Sequence, residues 1–442
     1  MELTSSNISF LVYLTGAVCL MSIFLAYRKF RDSFHPSIYL SLLCFGFYVI
    51  LPFQTLSQPE ILFSLISPQD LEFVLLVNLL GIIFILAGSL IGSQLSSSDY
   101  KKFAQFSNLS LGSPEKMRKA SYVLGTIALI AWVYTIHYVG GISVAYGRAY
   151  GGGSAESGYI RDLVILSLPA ISLYLLSFEN KKLQLVNLLF PFLCTLPLLV
   201  HGFLGARRGP TIITIVSLAM SWYLMKNNRP PLFVTIVFAF ILGILIMFLV
   251  SNRGNIYLGS DANFTGISEA IEYSTKVTTG NEFVYGSGVL LNSQKRGSYN
   301  WGARYVTILF VRPIPKQLWP TKYDDAAAFF GGSNISQNLG AGIEELNETL
   351  GWSVPLGAAP GIIADMWIEV WFFAFPLLYY FGFVYGWFWK RAVFIGNIWI
   401  PYYVVISALS IYLITQTLEA MLVRFIISVV GISLSWRFAN SD

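Results

Sequence analysis

The sequence predicts an all-α protein that crosses a membrane many times, and three observations lead to this fold class. Of the 442 residues, 55% are hydrophobic and only 12% are charged, whereas a soluble domain carries about 25% charged residues. The mean hydropathy of the chain is +0.64. Apolar runs near the roughly 20 residues that a spanning helix needs recur along the whole chain. Because lipid offers no hydrogen-bond partners, each run should satisfy its own backbone as a helix.

Eleven apolar runs are candidates for spanning helices. The first is preceded by MELTSSN, which lacks the basic region of a signal peptide, and is followed by RKFR, so we expect an uncleaved span. The expected spans are 9–27, 37–55, 71–92, 121–139, 162–178, 184–203, 211–225, 232–250, 362–388, 398–416 and 420–436.

Lysine and arginine in the connections predict the orientation, because basic residues concentrate on the cytoplasmic side of a membrane protein. One set of connections carries fifteen basic residues, with lysine common among them. The opposite set, with the long segment 254–357 left out, carries no lysine and six arginines: Arg148, Arg161, Arg207, Arg208, Arg253 and Arg424. We therefore expect the N-terminus outside and the C-terminus inside.

The chain then divides into three parts: helices 1–8 in 1–253, a large outer loop in 254–357, and helices 9–11 in 358–442. Connections longer than about 15 residues are uncommon unless they are functional. Tryptophans, glycines and the run RPIP indicate that this loop is ordered. Its apolar stretch YVTILFV (305–311) is too short to cross a membrane, which predicts a buried or interfacial element.

The stretch HGFLGARRGP (201–210) places two adjacent arginines on the outer side. A single arginine there is explained equally well as an interfacial side chain that reaches toward the lipid headgroups. A set made only of arginine is more specific, because guanidinium offers a fixed, bidentate fork for phosphate or carboxylate. The outer arginines therefore predict a site for an anionic group.

A second candidate is FVRPIPKQLWPTKYDD (310–325), which interleaves Arg312, Lys316 and Lys322 with Trp319 and three prolines. Basic side chains beside an aromatic ring on a rigid backbone suit a phosphorylated sugar. A rigid strap without ligands is the alternative interpretation.

Several functional classes lack support in the sequence. Nucleotide-binding loops, zinc-protease motifs and CxxC pairs do not occur, and the three cysteines lie in apolar spans as small hydrophobic residues. Any chemistry should therefore use an already activated substrate. We expect no cofactor, no metal site and no nucleic-acid partner.

Four features together resemble the bacterial O-antigen or oligosaccharide repeat-unit polymerases (Wzy-type). They are the outer GxRRG turn, the long outer loop late in the chain, the RPxPxxLWPxK strap, and AAPGIIADMWIEVWFFAFPLLYYFGFVYG (358–386). The resemblance is strongest between about residues 200 and 390.

The resemblance implies a multi-pass glycosyltransferase of the bacterial inner membrane whose active site faces the periplasm. Its donor would be a glycan on undecaprenyl pyrophosphate, and its acceptor a second lipid-linked repeat unit. It implies a reaction without metal or nucleotide. Besides the lipid bilayer, a chain-length regulator protein is a candidate partner.

Under this interpretation, arginines would stabilise the charge that develops on the departing pyrophosphate. The candidates for binding substrate and pyrophosphate are Arg207, Arg208, Arg253, Arg304, Arg312 and Arg424, with Lys316 and Trp319 toward the sugar.

A base must take the proton of the acceptor hydroxyl. Asp365 and Glu369 are four residues apart, so they share a helix face near the outer end of the ninth span, and carboxylates inside a membrane are usually functional. His201 is the second candidate, although a lone histidine at an interface is more often structural. Glu419 should pair with the nearby Arg424.

Two other functions remain open. An O-antigen ligase, which transfers finished glycan onto a lipid A core, would share the outer arginines and the large loop. A lipid-linked oligosaccharide flippase or transporter is disfavoured by the odd number of spans and the lack of an internal repeat. Mannosyltransferase-type enzymes are disfavoured because the first connection, RKFRDSFHP, is basic and inside.

Overall fold

A computed structural model describes most of the chain, and its regular structure is helical throughout. The described residues are 2–95, 113–148, 158–178, 185–205, 207–226, 228–252, 254–260, 264, 266–269, 281–330, 343–351 and 359–441. No strand occurs among them. The all-α expectation is therefore confirmed for this part of the chain.

Fifteen helices of eight or more residues follow one another within the described ranges. They are α1 Glu2–Phe30, α2 Pro36–Phe45, α3 Pro68–Gly92, α4 Pro114–Val139, α5 Ser167–Leu176, α6 Leu189–Phe203, α7 Arg208–Met225, α8 Leu232–Ser251, α9 Glu282–Arg296, α10 Lys322–Phe330, α11 Ile343–Leu350, α12 Gly361–Val370, α13 Ala374–Phe394, α14 Trp399–Thr415 and α15 Leu418–Ala439.

Eight helical segments in the described part are long and apolar enough to cross a membrane. They are Asn7–Phe30, Pro36–Thr55, Pro68–Gly92, Pro114–Val139, Val186–Phe203, Leu232–Leu249, Gly361–Phe394 and Leu418–Ala439. A polytopic membrane protein is thus confirmed. The other three expected spans, 162–178, 211–225 and 398–416, are also largely helical but fall outside these eight. The count of eleven and the orientation stay predictions.

Glycines allow α3 and α13 to pack closely. A Cβ on Gly88 would collide with the backbone of Tyr379, and one on Gly382 would collide with the carbonyl of Ile85. Gly92 and Gly386, one turn further along each helix, face equally close backbone. Small residues four apart let helix backbones approach inside a membrane. The two helices therefore pack backbone to backbone along this stretch.

The ninth expected span breaks near its N-terminal end. Trp371 has φ +52°, and a short 3-10 turn there separates α12 from α13. The left-handed region is unfavourable for a residue with a side chain, so the surrounding packing imposes this turn. As a result Asp365 and Glu369 lie on a short, fully buried helix rather than on the long helix that follows.

Part of the long segment 254–357 belongs to the helical bundle. Residues Phe283, Val289 and Leu290 of α9 join the same hydrophobic core as the spanning helices. At one end of α9, Glu282 forms an ion pair with Arg208, and at the other Lys295 contacts Asp70 at 2.8 Å. This helix therefore runs from the site described below to the first turn of α3. The domain boundaries at 253 and 357 stay predictions.

Candidate functional site

A cavity of about 250 Å³ lies among α4, α6, α7, α14 and α15. Among the described residues, four arginines line it, and His201 lies beside them. We call this space the arginine cavity. Its lining is Trp132, Thr135, Ile136, Tyr146, Arg161, Asp162, Val164, Ile165, Pro197, Leu198, His201, Arg207, Arg208, Gly209, Pro210, Ile213, Ala359, Tyr412, Gln416 and Arg424.

Several helices begin at the arginine cavity. Helix α7 begins at Arg208, and its N-cap residue Arg207 makes no side-chain cap. Ala359 lies two residues before α12, and Gln416 lies two residues before α15. The first amides of a helix lack partners within the helix, and its dipole is positive at this end. The start of α7 therefore adds to the attraction that the arginines exert on an anion, whereas the first amide of α15 already donates to the Asp365 carboxylate.

The turn that carries Arg207 and Arg208 is held by close backbone packing. The Arg207 amide donates to the carbonyl of Gly202 at 2.8 Å. A Cβ on Gly209 would lie 2.6 Å from Cζ of Tyr412, so only glycine lets the turn approach that ring. Pro210 is in the first turn of α7, where its missing amide costs no hydrogen bond.

Two of the cavity arginines have defined partners. Arg208 forms an ion pair with Glu282, and both side chains are largely buried. The Arg424 guanidinium lies 4.7 Å from the ring centroid of Tyr412 and donates to the carbonyl of Ala420. Cation–π contact of this kind orients a guanidinium without neutralising it. Arg424 therefore keeps its positive charge for the cavity.

The electrostatics of Arg161 show how concentrated the positive charge is. Burial lowers the pKa of its guanidinium; the nearby Asp162 opposes this, while Arg424, Arg207 and Arg312 lower the pKa further. Like charges in a poorly hydrated site repel strongly. An anion that entered the arginine cavity would relieve this repulsion.

Arg312, from the long segment, lies at the side of the arginine cavity. Its Nη2 is 3.4 Å from Oδ2 of Asp162, and its Nη1 is 3.3 Å from Oε1 of Glu419. Asp162 lines the cavity, so Arg312 contacts the cavity wall from behind Asp162 and is not part of the described lining. The expected pairing of Glu419 with Arg424 is replaced by this pairing with Arg312.

Asp365 and Glu369 lie together in a second, fully buried cluster around Arg304. The Arg304 guanidinium forms ion pairs with both carboxylates, at 2.7 Å from Nε to Oε1 of Glu369. Asp365 Oδ2 also accepts from the Tyr305 hydroxyl at 2.7 Å and from the Leu418 amide at 2.9 Å.

This second cluster does not contribute to the described lining of the arginine cavity. The cluster adjoins the cavity at the start of α15. There Leu418, the first residue of that helix, contacts Asp365, and Gln416, two residues earlier, lines the cavity. The role of Asp365 and Glu369 as bases stays a prediction.

The strap 310–325 folds as turns that lead into α10. Lys322 is buried, and its ammonium donates to the carbonyls of Val311 at 3.2 Å and Arg312 at 2.8 Å. The Trp319 indole N–H donates to Oδ2 of Asp325 at 2.6 Å. Lys316 is exposed. Lys316 and Trp319 lie outside the described lining of the cavity, and these contacts agree with the rigid-strap interpretation.

The structure thus brings together His201, Arg207, Arg208 and Arg424 of the expected site, with Arg312 adjacent. Arg304, Asp365 and Glu369 form the neighbouring cluster. Arg253 lies outside the described residues. The described residues contain no group of His, Cys, Asp and Glu that could hold a metal ion.

Sequence reasoning did not select several cavity residues, namely Arg161, Asp162, Tyr146, Tyr412 and Gln416. Arg161 was counted among the outer arginines without a role. The adjacent Arg161-Asp162 pair, directly before an apolar run, was the available signal. The aromatic residues gave none, because tyrosine is common throughout this chain.

Comparison of the chain with family models, with curated proteins and with solved structures finds no match.

Proposed function

We propose that this protein is a membrane-embedded glycosyltransferase that polymerises oligosaccharide repeat units carried on undecaprenyl pyrophosphate. The observation that carries the proposal is the arginine cavity: in the described chain, four guanidinium groups and the N-terminus of α7 meet among apolar helices. Ligand pockets of a few hundred Å³ hold small groups. This cavity of about 250 Å³ suits the diphosphate and the first sugar rather than a whole glycan.

The reaction fits these residues. The terminal hydroxyl of the acceptor attacks the anomeric carbon of the donor sugar, and undecaprenyl pyrophosphate leaves with the electron pair of the broken bond. Negative charge grows on the pyrophosphate as it departs. Fixed donors in a poorly hydrated site stabilise such charge by about 3–4 kcal/mol per donor. Arg207 and Arg424 would provide this stabilisation, with Arg161 and Arg208 beside them.

The apolar part of the cavity wall supports a lipid-linked donor. Trp132, Ile136 and Leu198, on α4 and α6, also line the cavity. Both helices are apolar enough to cross a membrane. An anionic headgroup with an attached hydrocarbon chain matches a site lined by both charged and apolar side chains.

The proposal includes the finer topology: eleven spans, the N-terminus outside, the C-terminus inside, and the site at the periplasmic face of the bacterial inner membrane. It is supported by the excess of lysine in the opposite connections. Lipid-linked oligosaccharide and the bilayer would be its partners, with a chain-length regulator as a candidate. The acceptor sugar would approach from the side of the strap 310–325.

The test is complementation of a deletion strain of the native bacterium with Arg207→Ala and Arg424→Ala, followed by gel analysis of surface polysaccharide. We expect the deletion to leave only single repeat units and both variants to shorten or remove the ladder of long chains. Arg296→Ala is the matched control, since this arginine pairs with the exposed Glu348 outside the cavity.

Arg207→Lys should give an intermediate ladder, because lysine keeps the charge and loses the bidentate fork. Unchanged long chains in both alanine variants, with normal protein levels, would contradict the proposal. Loss of all attached glycan in the deletion strain, with full-length lipid-linked polymer retained, would indicate a ligase instead.

A further inference from the structure

We infer that Asp162 is the base that accepts the proton of the attacking hydroxyl, an inference that rests on the proposed glycosyl transfer. Of the residues that the structure describes along the arginine cavity, Asp162 is the only carboxylate. Its side chain is largely buried. A general base must lie within reach of the hydroxyl that it deprotonates, and Asp162 shares one cavity with the arginines that would hold the donor.

The other candidate bases are less suited to the role. Asp365 already accepts from Arg304, Tyr305 and the amide of Leu418, outside the lining of the cavity. His201 lines the cavity but lies among its arginines. A proton taken up by histidine would add a positive charge next to those guanidinium groups, whereas a proton taken up by a carboxylate removes a negative one.

Arg312 holds the Asp162 carboxylate in place. Its guanidinium bridges Asp162 and Glu419 at 3.4 and 3.3 Å. The backbone of Arg312 is held in turn, because its carbonyl accepts from the buried Lys322 ammonium at 2.8 Å. The carboxylate therefore has a defined position at the wall of the cavity, as a base requires.

The step balances with a single carboxylate. The acceptor proton moves to Asp162 as the acceptor oxygen bonds to the anomeric carbon. The bond from that carbon to the phosphate oxygen breaks, and its electron pair leaves with the diphosphate. One displacement without a covalent enzyme intermediate inverts the anomeric configuration, as in inverting glycosidases, whose base also acts without forming such an intermediate.

The test uses purified full-length protein in lipid nanodiscs with synthetic lipid-linked repeat units, under single-turnover conditions. We expect Asp162→Asn to lower the rate of transfer by about 10²–10⁴-fold while the donor concentration for half-maximal rate changes little. Asp162→Glu should restore part of the rate, because it keeps a carboxylate close to the same position.

Glu419→Gln separates a base from a structural partner, because Glu419 contacts Arg312 at nearly the same distance as Asp162 does and is absent from the described cavity lining. If Asp162 only held Arg312, the two variants should lose similar activity. We expect a much smaller loss in Glu419→Gln. Asp70→Asn, which removes the contact with Lys295 at the far end of α9, is the neutral control.

Two outcomes would overturn the inference while leaving the proposed function intact. They are an Asp162→Asn rate within about tenfold of wild type, or retention of configuration in the product by NMR. Wild-type protein that transfers no sugar would overturn both proposals. Thermal unfolding of each variant shows whether a lost rate reflects lost folding.

Discussion

Gly209 lies directly against the ring of Tyr412, so that a Cβ at this position would be 2.6 Å from Cζ. The same ring supports the Arg424 guanidinium at 4.7 Å. Gly209 of the RRG turn, Tyr412 of α14 and Arg424 of α15 therefore meet at one ring. This relationship joins a short sequence motif to a side chain more than two hundred residues away.

Gly209→Ala should displace the Tyr412 ring and with it the Arg424 guanidinium. We expect at least a tenfold loss of polysaccharide chain elongation, the equivalent of about 1.4 kcal/mol in the barrier, with protein still present in the membrane. Gly243→Ala is the control, because this residue of α8 has open space around its Cβ position. Equal activity of the two variants would mean that the Gly209–Tyr412 contact is not needed.

Gly382→Leu should destabilise the bundle rather than affect the site. The new side chain would meet the backbone of α3 at Ile85, which cannot move aside as a flexible side chain could. Overpacking costs at least about 1–3 kcal/mol. A fluorescence-detected thermal shift in mild detergent should show a lower unfolding temperature. Gly46→Ala, with nothing within 4 Å of its Cβ position, should leave that temperature near the wild-type value.

Arg304→Ala should be strongly destabilising, because it leaves the buried carboxylates of Asp365 and Glu369 without their cation. Breaking a buried ion pair by removing one partner costs about 3–5 kcal/mol. Removal of the exposed Arg296–Glu348 pair should cost less than about 1 kcal/mol. Thermal unfolding of the two alanine variants measures the difference.

A second variant checks the physical reason for that loss. Adding Asp365→Asn and Glu369→Gln to Arg304→Ala removes the buried negative charges. Part of the lost unfolding temperature should return. If the triple variant is no more stable than Arg304→Ala alone, unpaired charge is not what destabilises the single variant.

Lys322→Met should loosen the strap while the bundle stays folded. The buried ammonium donates to the carbonyls of Val311, Arg312 and Ile314. A buried acceptor that loses its donor costs about 1–3 kcal/mol. We expect faster proteolysis between residues 310 and 325, with an unchanged unfolding temperature of the bundle. Lys316→Met, at an exposed position, should be cut at the wild-type rate.

The expected spans were predictable because lipid imposes one strong requirement. Backbone N–H and C=O groups that lie in lipid must hydrogen-bond within their own segment, so runs of about 20 apolar residues predict helices. The ends were less predictable: the break at Trp371 lies five residues before Pro376, which is in the first turn of α13, so the proline indicates a kink in this span without giving its exact place.

The basic part of the candidate site was predictable from residue type. The sequence predicts Arg207, Arg208 and Arg424 as site residues because one set of connections, apart from the long segment 254–357, carries arginine without lysine. Asp162 is not among the predicted site residues, although its place beside Arg161, directly before an apolar run, is a signal for it. Asp365 and Glu369 were expected on one helix face, and Arg304 brings both together in the structure.

What the sequence determined by itself is therefore the class of fold and the kind of charge that the connections between helices carry, since both follow from hydropathy and residue type along a short stretch of chain. Only the tertiary structure decided which charges meet. Arg312 reaches Asp162 across 150 residues, and Arg304 reaches Asp365 across 61. Such contacts depend on how closely helices pack. Glycines four residues apart, as in α3 and α13, mark a surface that allows close approach, but which helix packs there depends on contacts between distant parts of the chain.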